Sequence, residues 1–324
     1  MAVATAGRRS VSLTRTRTGR TRLFGYLLLT PALLYIFALI AVPFFLAIRY
    51  SVSDVSVTKL EGHFVGLKNF RDLWGDPAFR VALKNTFVYT FISIALNAIL
   101  GTFLAFILLE HFPGKRLVRF LLLLPFTIPI ALTILSWRWM FDSQYSVINW
   151  LGKYTHFYAL LNWVAAHTPL TFLQIPPYGV QWLGRPWVAM GAVIAINVWR
   201  NFPFSAIVLL AGLTSIPPEI IDAAKLDGAR GFTRYRKIIV PMIAPILFIG
   251  LLFNLIFTFT DLTIVYLLTQ GGPANATLVL GVRAFQVGIG SGDLSHGAAT
   301  TLFLFPVLFL FTVIFLRQLR RREV

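Results

Sequence analysis

The chain has 324 residues, of which 57% are hydrophobic and only 13% are charged. A soluble domain carries about 25% charged residues, so this composition excludes a water-soluble globular protein and indicates an integral membrane protein. The sequence contains no cysteine, which excludes disulfide bonds, thiolate metal sites and a cysteine nucleophile. The net charge of +17 is spread between apolar runs. That pattern is typical of loops at a membrane surface and not of a nucleic-acid-binding face.

Six apolar stretches are long enough to cross a bilayer, because a hydrocarbon core of about 30 Å needs roughly 20 helical residues. The first run is too long for the apolar part of a signal peptide, so we expect a retained span. The sequence therefore predicts an all-α integral membrane fold with six transmembrane helices. The predicted spans are 24–48, 86–109, 118–140, 187–213, 242–268 and 298–316.

Basic residues orient these spans. The two tails and the second-to-third and fourth-to-fifth connections together hold 18 Lys and Arg residues, whereas the other three connections hold nine. Because cytoplasmic loops carry the excess of Lys and Arg, both termini are predicted to be cytoplasmic. We expect a basic tail over 1–23, a six-span membrane domain over 24–316 and a second basic tail over 317–324.

The connection over 141–186 is a long outer loop rich in Trp and Tyr. These side chains favour the depth at which a membrane meets water, because one end is apolar and the other is polar. Residues 157–166 are predicted to form a short helix at that depth, since they are too few for a seventh span.

The cytoplasmic connection over 214–241 carries the most informative local pattern. Pro217 and Pro218 can open a helix at its first turn, and Glu219 favours the positive N-terminal end. Gly228 is a natural stop, because glycine readily adopts the left-handed conformation that ends a helix. We expect a helix of about ten residues between these signals. Physical reasoning alone leaves open whether it only completes the loop or docks another protein.

The same connection resembles the EAA loop of permease subunits of binding-protein-dependent ABC importers. Asp222, Ala223 and Ala224 match the Glu-Ala-Ala core, with aspartate in place of glutamate, and Gly228 and Pro241 match the later positions. The sequence from 227 to 229 is similar to the sugar-transporting branch. Other matching stretches are 65–70, 76–77, 124–125, 197–199 and 268–273, the last of which is similar to the larger maltose-transporter-type permease.

This resemblance implies the type I importer permease fold and a set of partners. They are a second homologous permease, two ATP-binding cassette ATPases, an extracytoplasmic solute-binding protein and a sugar-like solute. The sequence lacks the phosphate-binding G-x-x-x-x-G-K-[ST] motif, so ATP and Mg²⁺ are expected in the partner ATPase, with no cofactor and no catalytic residue in this chain. The residues implied to couple to the ATPase, within 219–232, are Glu219, Asp222, Ala223, Ala224, Leu226, Asp227 and Gly228.

Polar side chains inside apolar spans are costly, so each marks a candidate functional position. Residues 197, 201 and 204 are spaced i, i+4, i+7, and residues 254, 258 and 261 repeat that spacing. Each trio lies on one helix face, and the two faces are predicted to line a hydrophilic cavity. The resemblance implies that the side chains facing the sugar are Asn197, Arg200, Asn201, Phe204, Asn254, Phe257, Thr258 and Asp261.

Arg200 and Asp261 leave alternatives open. They form a buried ion pair between neighbouring helices, or Arg200 selects an anionic group on the solute, or one of them gates the path. An arginine at this position departs from the maltose-type pattern, which indicates a different solute, larger or charged.

Two other function classes were weighed. An ion-gradient-driven secondary transporter would use Asp261 as its ion site. A membrane-embedded enzyme would need a carboxylate or metal-ligand cluster near the interface, and the sequence shows none. The five histidines include no i, i+4 pair, so no metal site is predicted. Close helix packing is expected at Gly101, Gly191, Gly212 and Gly250.

Overall fold

The structure is a computed structural model that describes residues 14–169 and 174–320. Within these ranges the regular elements are all helices, and two isolated β-bridges, Ser53 with Phe64 and Ser56 with Lys59, occur in the loop after the first apolar run. The predicted all-α fold is confirmed. Of the predicted basic tails, residues 1–13 and 321–324 lie outside the described residues, and α1 already begins at Thr14.

The helices alternate between long apolar segments and short connecting ones. In chain order they are α1 (Thr14–Ile36), α2 (Val42–Ser51), α3 (Lys68–Gly75), α4 (Pro77–Leu109), α5 (Lys115–Thr127), α6 (Ile130–Met140), α7 (Val147–Tyr154), α8 (Phe157–His167), α9 (Pro186–Thr214), α10 (Pro218–Leu226), α11 (Gly231–Arg234), α12 (Val240–Phe259), α13 (Thr263–Leu268), α14 (Leu280–Phe285), α15 (Leu294–Leu302) and α16 (Leu304–Arg320).

Helical segments that are long and apolar enough to cross a membrane account for five of the predicted spans. The third predicted span, 118–140, is different, because α5 and α6 meet at an angle of 94°. Pro129 stands at this break, where it lacks a backbone N–H and pushes Ile128 out of helical geometry. A single straight span over 118–140 is therefore wrong. The five segments are Phe24–Ser51, Pro77–Leu109, Pro186–Thr214, Gly231–Phe259 and Leu294–Gln318.

The fifth and sixth predicted spans are also interrupted. The helix expected over 242–268 ends at Phe259, and α13 resumes at Thr263 after a short non-helical stretch. The helix expected over 298–316 is divided at Phe303 between α15 and α16. Hydropathy averages over such breaks, so the sequence predicted continuous spans at both places.

Three long helices form the centre of the molecule. The interface between α4 and α9 is the most extensive, and α12 packs against both. The first apolar segment lies apart, with its side chains from 24 to 41 almost all exposed, and only α2 packs on α15. The core draws mainly on the three central helices, with further residues from α6 and α13 to α15, and its most deeply buried members include Tyr89, Ile134, Val193, Ile196 and Ile243.

Glycines allow the central helices to approach closely. A Cβ atom placed on Gly101 would lie 2.7 Å from the Ser205 Cβ, and one on Gly250 would lie 2.9 Å from the Val208 Cγ1. A Cβ atom placed on Gly212 would be less crowded, since it would lie 3.2 Å from the Ile243 Cβ. The expectation is wrong for Gly191, where nothing lies within 4 Å of the added atom.

The outer loop over 141–186 is folded around one amide. Asn149 Oδ1 accepts hydrogen bonds from the Tyr158 hydroxyl, the Trp182 indole and the Val180 amide, at 2.8 to 3.1 Å. The predicted helix over 157–166 is confirmed as α8, whereas α7 was not predicted. Residues 170–173, within the stretch that sequence reasoning left without a role, lie outside the described residues.

Asp76 joins the start of α4 to α14. Its carboxylate caps the helix by accepting a hydrogen bond from the Ala78 amide at 2.9 Å, and it pairs with the Arg283 guanidinium at 2.7 Å. Partial burial opposes ionisation, but the backbone amides and the guanidinium outweigh it and hold the pKa of Asp76 below its ordinary value. The ionised carboxylate is therefore the form that stabilises the fold.

Replacing Gly101 with Ala tests the close approach of α4 and α9. We expect a loss of about 1–3 kcal/mol in unfolding free energy, because the new methyl group overpacks the contact with Ser205. Gly191→Ala is the matched control, and it should be neutral or slightly stabilising because its surroundings are open. Denaturant unfolding in detergent measures both. Equal effects of the two substitutions would contradict the packing described.

Asp76→Asn tests the clamp between α4 and α14. Because the folded-state pKa is depressed, the carboxylate contributes stability above the ordinary carboxyl pKa of about 4, and that contribution is lost as pH falls through the folded value. Asp76→Asn should lower the thermal midpoint at pH 7 and flatten its decline towards acid pH. Glu61→Gln, at an exposed position, is the control and should leave the pH dependence of the thermal midpoint unchanged. An unchanged pH dependence in Asp76→Asn would refute the clamp.

Candidate functional site

Buried polar side chains line one face of α4. Thr86, Thr90, Ser93 and Asn97 are all buried, and their spacing places them together against α9 and α12. Sequence reasoning missed this face, although the same i, i+4, i+7 spacing that marked the fourth and fifth spans is present in the second. The polar lining of the centre therefore comes from three helices and not from two.

Asn254 is a cross-link between these helices. Its side-chain amide donates to the Ser205 hydroxyl at 3.0 Å and to the Gly250 carbonyl at 3.1 Å, and its oxygen accepts from Asn97 at 3.3 Å. Only 4% of Asn254 is exposed. This residue holds α4, α9 and α12 together and does not reach the cavity described below.

Asp261 lies at the interruption between α12 and α13. One carboxylate oxygen accepts hydrogen bonds from the Thr263 amide at 2.9 Å and the Ile264 amide at 3.2 Å, so it caps the start of α13. The other oxygen accepts from the Tyr89 hydroxyl at 2.6 Å. The amide of Asn197 in turn donates to the Tyr89 hydroxyl at 2.9 Å. The carboxylate thus fixes the helix break to both α4 and α9.

A cavity of about 230 Å³ opens beside this network. Five of the eight predicted solute-facing residues line it, together with Phe126, Ile130 and Ile264. The bend between α5 and α6 brings the first two of these additional residues to the cavity, and only the structure could show that bend. The predicted residues in the lining are Asn197, Arg200, Asn201, Phe257 and Asp261.

Three predicted residues are not in that lining. Phe204 stacks on Phe126, with ring centroids 5.8 Å apart. Thr258 is buried, and its hydroxyl has no hydrogen-bond partner among the described residues. Asn254 is used in the cross-link. A helical stripe thus identified the correct face, but neighbouring side chains cover part of it.

Arg200 is not paired with Asp261. Among the described residues no carboxylate oxygen lies within 4.0 Å of its guanidinium. Its one hydrogen bond runs to the Ile128 carbonyl at 3.5 Å, the limit for such a contact. The alternative of a buried ion pair between Arg200 and Asp261 is therefore wrong in this structure, since Tyr89 and two backbone amides bind the carboxylate instead.

The predicted docking helix is α10, and its limits match the proline and glycine signals. It begins at Pro218 and ends at Leu226, and Gly228 follows with φ of +78°, the left-handed conformation predicted for it. Ala224 is buried against the core, while Leu226 is 90% exposed. The other coupling candidates, Glu219, Asp222, Ala223, Asp227 and Gly228, are exposed as well.

Tyr89→Phe tests the network around Asp261. We expect a loss of about 1–2 kcal/mol in unfolding free energy, because the substitution leaves a carboxylate oxygen and the Asn197 amide without their partner. Tyr266→Phe is the control, since the Tyr266 hydroxyl makes no hydrogen bond among the described residues. Steric-trapping or denaturant unfolding in detergent compares the two, and equal losses would argue against the network.

Comparison with known proteins identifies the family. Residues 97–323 match the family described as "Binding-protein-dependent transport system inner membrane component". The trehalose/maltose transport system permease protein MalF of Thermococcus litoralis is 30% identical over 303 residues, which cover 92% of this chain and 94% of that protein. The sn-glycerol-3-phosphate transport system permease protein UgpA of Pectobacterium atrosepticum is 29% identical, with 92% and 94% covered.

The fold has a solved counterpart. One chain of a crystal structure of a bacterial ABC transporter involved in the import of the acidic polysaccharide alginate superposes with a TM-score of 0.74. The alignment covers 94% of this chain and 98% of that chain, at 19% identity, so it shows a shared fold. With the family match over most of its length, the chain belongs to the inner membrane components of binding-protein-dependent transport systems.

Proposed function

We propose that this chain is one of two permease subunits of an ATP-driven importer for a sugar or a sugar derivative. The observation that carries the proposal is the cavity at the break between α12 and α13, where amide, guanidinium and aromatic groups meet in a membrane segment. Amides donate and accept hydrogen bonds in fixed directions, which suits sugar hydroxyls. Phe257, 53% exposed at this cavity, offers an apolar face to a sugar ring.

The names of the relatives support a sugar-like solute. They include trehalose/maltose, sulfoquinovosyl glycerol and sn-glycerol-3-phosphate permease proteins. These names span both a neutral disaccharide and a phosphate-bearing polyol, so the family leaves the charge of the solute open. The residues proposed to contact the solute are the amide, guanidinium and aromatic members of the cavity lining: Asn197, Arg200, Asn201 and Phe257. Asp261 lines the same cavity and holds its wall in place. Phe204, Asn254 and Thr258 act in this proposal by packing behind them.

Energy enters through α10. ATP and Mg²⁺ are held by a separate ATPase subunit, because this chain has no phosphate-binding loop. Leu226, at 90% exposure, and Phe232, at 72%, are the most exposed large apolar side chains of this connection and form the apolar part of the docking surface. Ala224 is buried, and Ile221 packs partly against a core cluster built by residues of α4, α9 and α12. A displacement of α10 by the ATPase is thereby passed to the helices that line the cavity.

The proposed topology places both termini and α10 in the cytoplasm. Counting the bent pair α5 and α6 as one crossing gives six spans, and the excess of Lys and Arg then lies on the α10 side. The outer loops receive an extracytoplasmic binding protein. ATP binding closes two ATPase subunits, which swings this chain and its permease partner to the outward-facing state, and hydrolysis resets them. No described contact favours the ion-gradient alternative, since Asp261 is held by Tyr89 and two backbone amides.

Purification of the tagged chain in mild detergent, followed by mass spectrometry, tests the assembly. We expect a second permease and an ATPase to co-purify. Uptake by membrane vesicles should then require ATP and survive collapse of the ion gradient. A chain that purifies alone and transports at the expense of an ion gradient would refute the importer function.

Leu226→Asp tests the docking surface. An exposed leucine contributes little to the fold, so the variant should insert normally but should reduce co-purification of the ATPase and ATP-driven uptake by about tenfold or more. Leu60→Asp, which changes an exposed leucine in the loop after the first span, is the matched control and should retain the ATPase. Undiminished co-purification and uptake in Leu226→Asp would count against α10 as the docking element.

A further inference from the structure

The cavity contains one cation, Arg200, that has no direct ion-pair partner among the described residues. Arg200 lines the cavity and is partly buried, yet its guanidinium has no carboxylate within 4.0 Å among the described residues. Its single hydrogen bond, to the Ile128 carbonyl, is 3.5 Å long. A guanidinium carries five N–H donors, so most of its donors have no hydrogen-bond partner among the described residues.

Asp261 lies in the same lining and attracts Arg200 across it, but it makes no direct contact with the guanidinium. Both oxygens of Asp261 accept hydrogen bonds within the protein, from the Tyr89 hydroxyl on one side and from the Thr263 and Ile264 amides on the other. This carboxylate stabilises the break between α12 and α13 by binding the backbone amides at the start of α13. Among the described residues, Arg200 and Asp261 are the only charged members of the lining. The other members are amides and apolar side chains: Phe126, Ile130, Asn197, Asn201, Phe257 and Ile264.

An unpaired cation within an apolar segment is expensive, and it is retained where it meets a solute or a water-filled path. The planar fork of arginine matches two oxygens of one anion, which a hydroxyl group cannot offer. A neutral sugar would leave the guanidinium of Arg200 without a direct charged partner. A solute that carries an anionic group would supply the missing partner inside the cavity.

We infer that the solute is a sugar derivative bearing an anionic group, a carboxylate, phosphate or sulfonate, that binds Arg200. This inference rests on the proposed function, since it assigns the substrate class of the proposed importer's cavity. Asp261 is a positioning residue in this account, because it holds the cavity wall and does not receive the anion. Asn201 and Phe257 contact the uncharged part of the solute.

The absence of cysteine from the sequence permits a direct test. A single Ile130→Cys substitution places a thiol in the cavity lining, and its modification rate is measured with sulfonatoethyl and trimethylammonioethyl methanethiosulfonates of similar size. The measured quantity is the ratio of the modification rate by the anionic reagent to that by the cationic reagent. We expect this ratio to be about tenfold or more higher at Ile130→Cys than at Leu60→Cys, an exposed position outside the cavity. Adding Arg200→Gln should abolish that preference, and adding Arg200→Lys should retain most of it.

The possible outcomes separate this inference from the importer function. If the ratio of anionic to cationic modification rates is the same at Ile130→Cys and Leu60→Cys, the inference of an anionic solute is overturned. ATPase co-purification and ATP-driven uptake would be unaffected by that result. A preference that survives Arg200→Gln would overturn the role of Arg200. Failure of both reagents to react would show that solutes do not reach this cavity, which overturns the site itself. If Arg200→Gln does not fold, the comparison with Leu60→Cys alone decides the question.

Discussion

The carboxylate of Asp261 sits where a membrane-spanning helix is interrupted, and it must be satisfied without bulk water. An uncompensated polar group in such surroundings costs several kcal/mol, so the chain supplies partners from three directions. The Tyr89 hydroxyl comes from α4, and two free backbone amides come from the first turn of α13. Asn197 of α9 then binds the same tyrosine. The break, the central helices and the cavity wall all depend on this one arrangement.

The arrangement explains how a packed bundle keeps an open space at its centre. Below the break, Gly101 and Gly250 let the central helices touch, and Asn254 joins them by hydrogen bonds. At the break the helix cannot continue, and the bent segment of α5 and α6 contributes Phe126 and Ile130 to the opposite wall. The cavity is thus a consequence of two helix interruptions facing one another. At the far end, α10 packs through Ile221 on a second core cluster that includes residues of α4, α9 and α12.

Much of this was predictable because its signals are local. Proline, glycine and charge at the ends of α10 predicted its limits closely, and apolar length located the spans. Residues on one helix face were also recognisable from spacing, which brought five of the solute-facing candidates to the cavity. The polar face of α4 carries the same spacing and was predictable on the same grounds.

What could not be predicted depends on contacts between distant segments. The pairing of Asp261 with Tyr89 spans 172 positions, and no local pattern distinguishes it from a pairing with Arg200. Similarly, hydropathy does not register the 94° bend at Pro129, because both halves are apolar. Phe204 has the spacing of a cavity residue but stacks on Phe126, a ring contributed by that bend.

The most direct test is an electron cryo-microscopy structure of the assembled importer with its solute trapped in the membrane. The account predicts solute density in the cavity between α9 and α12, within hydrogen-bonding distance of Asn201 and Arg200, with the Asp261 carboxylate still bound to Tyr89. Density elsewhere along the chain, or a solute bound to Asp261 after the Tyr89 contact has opened, would contradict it.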